Sequence, residues 1–239
     1  MDSQISIKNL SIVFPLLDTA SRSLRSQLTS KQSTKSMTTF VGIDDISIEI
    51  MPGERIGLLG SNGAGKSTFL RTLAGVYIPQ SGQLSVRGDV SSIFDVSVGL
   101  DPDVSGYDNI PLLMASRGIE LNRLSEIRKD VEDFTELGEA LFRPIRTYSQ
   151  GMRLRIAFAV ATAQKADVLL VDEIVGVGDQ TFREKSKLRI DNLMKGSGTL
   201  VLASHSSNYL KSYCTRGLVF QKGKIVFDGS IDEALAFNL

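Results

Sequence analysis

A glycine-rich stretch in the first third of the chain has residue types suited to holding phosphate groups. Residues 60–67 read Gly-Ser-Asn-Gly-Ala-Gly-Lys-Ser. The apolar run 55–59 before them has the character of a buried parallel strand, and residues 69–74 have that of a helix. A strand, such a loop and a helix in this order form a P-loop, in which backbone amides and a helix N-terminus point into one concavity. The sequence therefore predicts a nucleoside triphosphate site.

Individual residues of this loop have expected roles. Lys66 would reach the β- and γ-phosphates, the Ser67 hydroxyl would hold Mg²⁺, and Thr68 would contact the α-phosphate. A glycine-rich turn without a function is the alternative, and the strand–loop–helix setting argues against it. The predicted nucleotide-binding residues here are Gly60, Ser61, Asn62, Gly63, Ala64, Gly65, Lys66, Ser67 and Thr68.

Two acidic residues end a second apolar run, Val168–Val171. Acids at the end of a buried strand are unusual unless they face a site. Asp172 is expected to orient Mg²⁺ through its water shell. Glu173 is expected to polarise the attacking water as general base. Solvated acids at a strand end are the alternative, which a pair of acids downstream of a P-loop makes less attractive.

Two further polar residues are candidates for the nucleotide site: a histidine that follows a predicted strand and a serine that precedes a predicted helix. His205, the single histidine, comes just after the apolar run 199–203, where open α/β sheets place their ligand contacts, so we predict a γ-phosphate hydrogen bond. An ordinary surface or core histidine is the alternative. Ser149 opens a predicted helix over 152–164, and helix capping alone would explain it. The same helix N-terminus could receive a phosphate from a second subunit. The sequence does not decide between these two roles.

The amino-acid composition narrows the class of protein to which this chain can belong. The 239 residues are 42% hydrophobic and 23% charged, as in ordinary soluble domains, with 27 basic and 27 acidic residues. This balance argues against a general nucleic-acid binder. The single cysteine, Cys214, excludes an internal disulfide and fits a reducing cytosol. We expect no secretory signal and no transmembrane segment.

The remaining patterns predict an α/β core that is interrupted by two inserted segments. Strands are expected over 5–14, 43–50, 55–59, 168–171 and 199–203, a helix from about Gln180, and a hairpin around Gly223. Residues 16–39 are rich in Ser and Thr and basic in balance, and Leu17, Ala20, Leu24 and Leu28 permit a short amphipathic helix there. The block from 101 to about 155 reads as an inserted helical subdomain, in which Asn122 is expected to start a helix.

These stretches, in this order, resemble an ATP-binding-cassette (ABC) ATPase over nearly the whole chain. The resemblance implies a P-loop NTPase (RecA-like) α/β core with an antiparallel β-subdomain, an inserted α-helical subdomain, ATP and Mg²⁺ as ligands, and a head-to-tail homodimer. It implies that Ser149 and Gly151 bind the partner's ATP as the signature motif, that Asp179 is the D-loop aspartate, and that Glu173, His205 and Lys66 are catalytic. It also implies that Phe40 stacks on adenine, although an ordinary buried phenylalanine is nearly as good an explanation.

Departures from the family pattern point to one branch. The signature reads Tyr-Ser-Gln-Gly-Met, Ile174 replaces a proline, and no glutamine lies near Val96, with Asp95 or Ser97 as candidate substitutes. Three segments are similar to ATPases of polysaccharide exporters. The first is residues 148–155, which read Tyr-Ser-x-Gly-Met-x-x-Arg, followed by Ala-Phe-Ala-Val-Ala at 157–161. The other two are Val171–Asp179 and Pro102–Asn109.

That resemblance implies an ATPase subunit that drives export of a lipid-linked polysaccharide, such as O-antigen or a capsule-like glycan. Its partners would be a second copy and a separate integral-membrane permease, on the cytoplasmic face of the inner membrane. A C-terminal carbohydrate-binding domain, which some members carry, is not expected. The alternatives are an ATPase of another ABC transporter class, or a soluble ABC ATPase that acts as a conformational switch.

Overall fold

The structure is a computed structural model that describes residues 3–15, 39–94, 99–172 and 179–237. Nine strands and seven helices are formed within these ranges. The strands are β1 (Ile5–Pro15), β2 (Thr39–Ile50), β3 (Arg55–Leu59), β4 (Ser81–Val86), β5 (Val90–Ile93), β6 (Val168–Asp172), β7 (Thr199–Ala203), β8 (Arg216–Gln221) and β9 (Lys224–Ser230). The helices are α1 (Lys66–Leu73), α2 (Gly106–Ser116), α3 (Leu124–Thr135), α4 (Gln150–Ala161), α5 (Gln180–Gly196), α6 (Ser207–Tyr213) and α7 (Ile231–Phe237).

A six-stranded sheet forms the centre, in the order β5-β6-β7-β3-β8-β9. Its first five strands are parallel, and β9 pairs antiparallel with β8. Alternate residues of the central strands face opposite sides: Val168 and Leu170 join one buried cluster, while Leu169 and Val171 join the other. Because both faces are covered, these strands are apolar throughout rather than alternating.

The two sides of this sheet carry different layers. One side packs on α1 and on a three-stranded antiparallel sheet in the order β2-β1-β4. The other side packs on α2 to α7. The α/β architecture with a separate antiparallel sheet agrees with the predicted fold class.

The segment 99–161 contributes three helices, α2, α3 and α4, linked by turns. The Phe134 and Phe158 rings stack with centroids 5.9 Å apart, which joins α3 to α4. Arg189 of α5 donates to Asp130 of α3 at 3.0 Å, so the ion pair ties this helical segment to α5. Two charged groups held in a defined geometry fix the orientation of one helix against the other.

Several local predictions are confirmed and others need correction. The strands 55–59 and 199–203 have the predicted bounds. The helix expected from Asn122 begins at Leu124, because residues 121–123 form a 3₁₀ turn in which the Asn122 amide donates to Glu120. The helix expected to end at Gln164 ends at Ala161. The predictions for 16–38 and for Asp95–Ser97 fall outside the described residues.

Candidate functional site

A pocket of about 190 Å³ opens at the carboxyl ends of the parallel strands β3, β6 and β7. The residues that meet there come from four separate parts of the chain. They are Phe40, Gly42, Asn62, Gly63, Ala64, Gly65, Lys66, Ser67, Thr68, Asp172, Ala203, Ser204 and His205. Ligands of open α/β sheets bind at this edge because the loops that follow the strands converge there.

The loop between β3 and α1 can take its shape only with glycine at two positions. Gly60 and Gly65 have φ of 131° and 117°, in the left-handed region that favours glycine. A Cβ on Gly60 would lie 2.3 Å from the Phe220 carbonyl oxygen, and one on Gly65 2.9 Å from the Gly42 oxygen. The backbone between them curls around a concavity that ends at the first turn of α1. This arrangement suits an anion, because amide groups and the positive end of a helix face it.

Lys66 supplies the positive charge of this concavity. Its side chain is 9% exposed, and Nζ donates to the carbonyl oxygens of Gly60 at 2.6 Å and Ser61 at 3.0 Å. The ammonium group is therefore held over the loop rather than extended into solvent. A phosphate entering the pocket would gain a charge-assisted hydrogen bond from a group that is already in place.

The pocket also holds the oxygen atoms that a magnesium ion needs. Ser67 of α1 and Asp172 at the end of β6 both line it. Mg²⁺ prefers hard oxygen ligands and is commonly bound by one or two protein groups together with phosphates and water. Among the described residues no group of three or more His, Cys, Asp or Glu forms a metal cluster. A metal that shares its coordination with bound phosphates fits this donor set.

His205 reaches the same pocket from the loop after β7. Asp172 and Ala203 pair in the sheet, so the ends of β6 and β7 bring the Asp172 and His205 positions to one edge. Ser204 also lines the pocket, and its hydroxyl accepts from the Ser206 amide at 3.1 Å. The short turn that carries His205 is thereby closed by its own hydrogen bond.

Phe40 lies at the outer rim of the pocket and is 51% exposed. Its ring stacks against Phe14, its cross-strand partner, with centroids 6.5 Å apart and an interplanar angle of 22°. Phe14 in turn meets Tyr77 edge-on at 5.1 Å. The exposure disagrees with the alternative of an ordinary buried phenylalanine and leaves one ring face available. The sequence did not single out Phe14, because only strand pairing brings it to Phe40.

Three other predicted site residues lie elsewhere in this chain. Ser149 is the N-cap of α4, and its hydroxyl accepts from the Met152 amide at 3.3 Å. Asp179 is the N-cap of α5 and forms an ion pair with Arg155. Ser149, Gly151 and Asp179 are all absent from the described lining of the pocket. Glu173 follows Asp172 directly but lies outside the described residues.

Comparison with known proteins decides the family. The family model described as ABC transporter matches residues 43–176, which span the loop, the helical segment and Asp172. The chain belongs to the ABC transporter family. The predicted family and the ABC ATPase fold class are therefore confirmed, and this fold is one that binds ATP.

Relatives and solved structures agree with that assignment. The chain is 37% identical to the O-antigen export system ATP-binding protein RfbE of Yersinia enterocolitica, covering 96% of this chain and 99% of that protein. It is 33% identical to the teichoic acids export ATP-binding protein TagH of Listeria monocytogenes, covering 96% and 68%. The ABC fold recurs in a dimeric ATP-binding cassette bound to ADP and phosphate, with a TM-score of 0.66 at 18% identity over 95% and 98%. It recurs also in an ABC transporter ATP-binding subunit, with a TM-score of 0.67 at 19% identity over 97% and 91%.

Replacing Lys66 with methionine is expected to weaken ATP binding by about 30-fold, the effect of losing one charged hydrogen bond of about 2 kcal/mol. Methionine keeps an unbranched apolar side chain that is one heavy atom shorter, so the loop should keep its fold. Calorimetric titration with ATP measures the change. Lys187→Met, at an exposed position of α5, is the matched control and should bind as the wild type does. Unchanged affinity in Lys66→Met would remove Lys66 from the phosphate site.

Proposed function

We propose that this protein is the ATP-hydrolysing subunit of an ABC transporter that exports a lipid-linked polysaccharide, of the O-antigen or capsule-like class. The observation that carries the proposal is the 37% identity to an O-antigen export ATP-binding protein over nearly the full length of both chains. A second relative is named for teichoic acid export, which is also the movement of a polymer. The two names share an exported polymer, and that shared class is what we assign.

The proposed chemistry uses the groups around the pocket. Lys66 and the amides of the loop hold the β- and γ-phosphates, while Ser67 and Asp172 hold Mg²⁺, the latter through water. A magnesium ion held by these two residues would neutralise charge that develops on the phosphates. Glu173 accepts a proton from the attacking water as general base, and His205 donates to the γ-phosphate. Phe40 offers its exposed ring face to the adenine.

The proposed active unit is a homodimer with two ATP molecules at a head-to-tail interface. The support is the location of Ser149, Gly151 and Asp179, which lie away from the pocket of their own chain. The N-terminus of α4 at Ser149 and Gln150 is exposed, so another copy's phosphate can approach it. A structural relative with 18% identity is described as a dimer bound to ADP and phosphate. Each site would then be complete only when two chains meet.

The proposed membrane partner is a separate permease, docked on a groove of about 450 Å³ between the central sheet and the helical segment. Val90, Ser91 and Ser92 of β5 form one wall, and the end of α2 forms the other. Val76 lies on its rim with 59% of its surface exposed. An occupant of this groove contacts both layers, so it can sense their relative movement during ATP binding and hydrolysis. Among the described residues, no helix is long and apolar enough to cross a bilayer.

Charging the rim of this groove is expected to detach the protein from membranes. In Val76→Glu, the new carboxylate would have to be buried against the permease, which is costly without a partner charge. We expect the membrane-bound fraction to fall by about tenfold while the purified protein hydrolyses ATP as before. Leu188→Glu, at an equally exposed apolar position of α5, is the control and should stay bound. If Val76→Glu fractionated as the wild type, the permease would dock elsewhere.

The export function is tested in cells of the source organism that lack the gene for this chain. Lipid-linked glycan is expected to accumulate on the cytoplasmic side and to disappear from the surface. The wild-type chain should restore export, and the Lys66→Met variant should not. A normal glycan surface in the deletion strain would overturn the polysaccharide assignment, while ATP hydrolysis by the purified protein would still support an ABC ATPase of another class.

A further inference from the structure

Helix α6 begins two residues after His205, so the docking of this short helix determines where the histidine lies. Ser206 is its N-cap, and the Ser206 hydroxyl accepts from the Tyr209 amide at 3.4 Å. Leu210 anchors the inner face of the helix in the core beside Gly57. One buried leucine fixes the depth of a seven-residue helix but leaves its rotation and sliding to other contacts.

A tyrosine–aspartate hydrogen bond supplies the missing constraint. The Tyr209 hydroxyl donates to Asp191 Oδ1 of α5 at 2.7 Å. Burial and the adjacent Asp191 carboxylate raise the pKa of Tyr209, so the hydroxyl keeps its proton and remains a donor. The Tyr213 ring packs against the Tyr209 ring with centroids 5.2 Å apart, and burial and the same Asp191 carboxylate also raise the pKa of Tyr213. A charge-assisted hydrogen bond in a partly dry environment is stronger than one in solvent.

The acceptor belongs to a rigid element. Helix α5 has seventeen residues. Ile190 and Met194, which lie near Asp191 along this helix, are almost completely buried in the core. Helix α6 also forms an ion pair, Lys211 with Asp232 of α7, in which both side chains are exposed. Exposed pairs of this kind contribute little to stability. The polar link from α6 to Asp191 is therefore stronger than the link from α6 to Asp232.

We propose that Tyr209 is a positioning residue that holds His205 at the γ-phosphate through its bond to Asp191. This inference rests on the proposed ATP hydrolysis and on the role of His205 in it. Catalytic groups must be placed to within about 1 Å, and an error of that size costs up to 100-fold in rate. Ligand affinity depends mainly on the loop at 60–68, which is formed by other elements. The expected effect of losing the bond is therefore on kcat and not on KM.

Tyr209→Phe removes only the hydroxyl and is expected to lower kcat for ATP by about tenfold with KM changed less than twofold. Asp191→Leu should have the same effect, whereas Asp191→Asn keeps an acceptor oxygen and should retain most of the activity. In a His205→Ala background, Tyr209→Phe should lower the residual rate no further, because the two residues act through one path. Lys211→Ala, which removes the exposed ion pair with Asp232, should behave as the wild type.

The single histidine also permits a direct spectroscopic readout. Full-length protein labelled at histidine carries the His205 imidazole as its one labelled ring. With ATP and Mg²⁺ bound, its NMR signal is expected to shift in Tyr209→Phe and to stay unchanged in Lys211→Ala.

Three outcomes of these experiments would each overturn a different claim. If the wild type does not hydrolyse ATP, the proposed function fails. If His205→Ala is as active as the wild type, the role of His205 fails, and the positioning role of Tyr209 fails with it. If His205→Ala is impaired but Tyr209→Phe retains the wild-type kcat and signal, only the inference on Tyr209 is overturned.

Discussion

Substituting Glu173 with glutamine is expected to lower ATP turnover by about 100-fold or more while ATP binding remains intact. Glutamine has the size of glutamate but cannot accept a proton at neutral pH, so the attacking water loses its base. The phosphate-binding groups are contributed by other residues, Lys66 and Ser67 among them. ATP should then hold two copies together because it is not consumed. Steady-state hydrolysis and sedimentation with ATP and Mg²⁺ measure the two effects.

The matched control is an acid that precedes strand β6, at the end opposite to Asp172. Asp167 precedes β6, and its carboxylate accepts from the Asp89 amide at 2.9 Å, far from the phosphate loop. Asp167→Asn makes the same acid-to-amide change and keeps an acceptor oxygen, so turnover should stay within about twofold of the wild type. Hydrolysis retained in Glu173→Gln would show that another group activates the water.

The phosphate loop could be predicted from the sequence because its signals are local. Gly60 and Gly65 adopt backbone conformations that other residues avoid, and the loop is flanked by a strand and a helix that also have local patterns. The gathering of Asp172 and His205 at one edge was predictable for a different reason. Both follow apolar runs, and parallel strands end at the same edge of their sheet.

The elements that the sequence analysis missed depend on contacts between distant residues. Strand β4 contains Ser, Gly and Gln and is half exposed, and it is a strand because it pairs with β1, as Ile7 does with Leu84. Helices α6 and α7 have seven residues each, too few to be stable alone. Their burial of Leu210 and Ala234 against the sheet supplies the stability, and no local pattern contains that information. Phe14 was missed for the same reason.

A prediction about Ser149 separates its two possible roles, helix capping and contact with the partner's ATP. Asp and Asn both cap helices about as well as Ser, so Ser149→Asp and Ser149→Asn should both fold with α4 intact. They differ only in charge. If Ser149 caps α4 and does nothing else, the two variants should behave alike, and the aspartate should even gain from the positive end of the helix.

We expect instead that Ser149→Asp, made in the Glu173→Gln background, abolishes the ATP-dependent dimer, while Ser149→Asn in that background retains it. A negative charge at the N-terminus of α4 would face the phosphates of the partner's ATP, and like charges brought together at an interface cost several kcal/mol. Each monomer should still bind ATP, since Ser149 does not line its own pocket. Sedimentation with ATP and Mg²⁺ measures the dimer, and titration measures the binding. Equal dimerisation of the two variants would restrict Ser149 to capping and place the second half of the ATP site elsewhere.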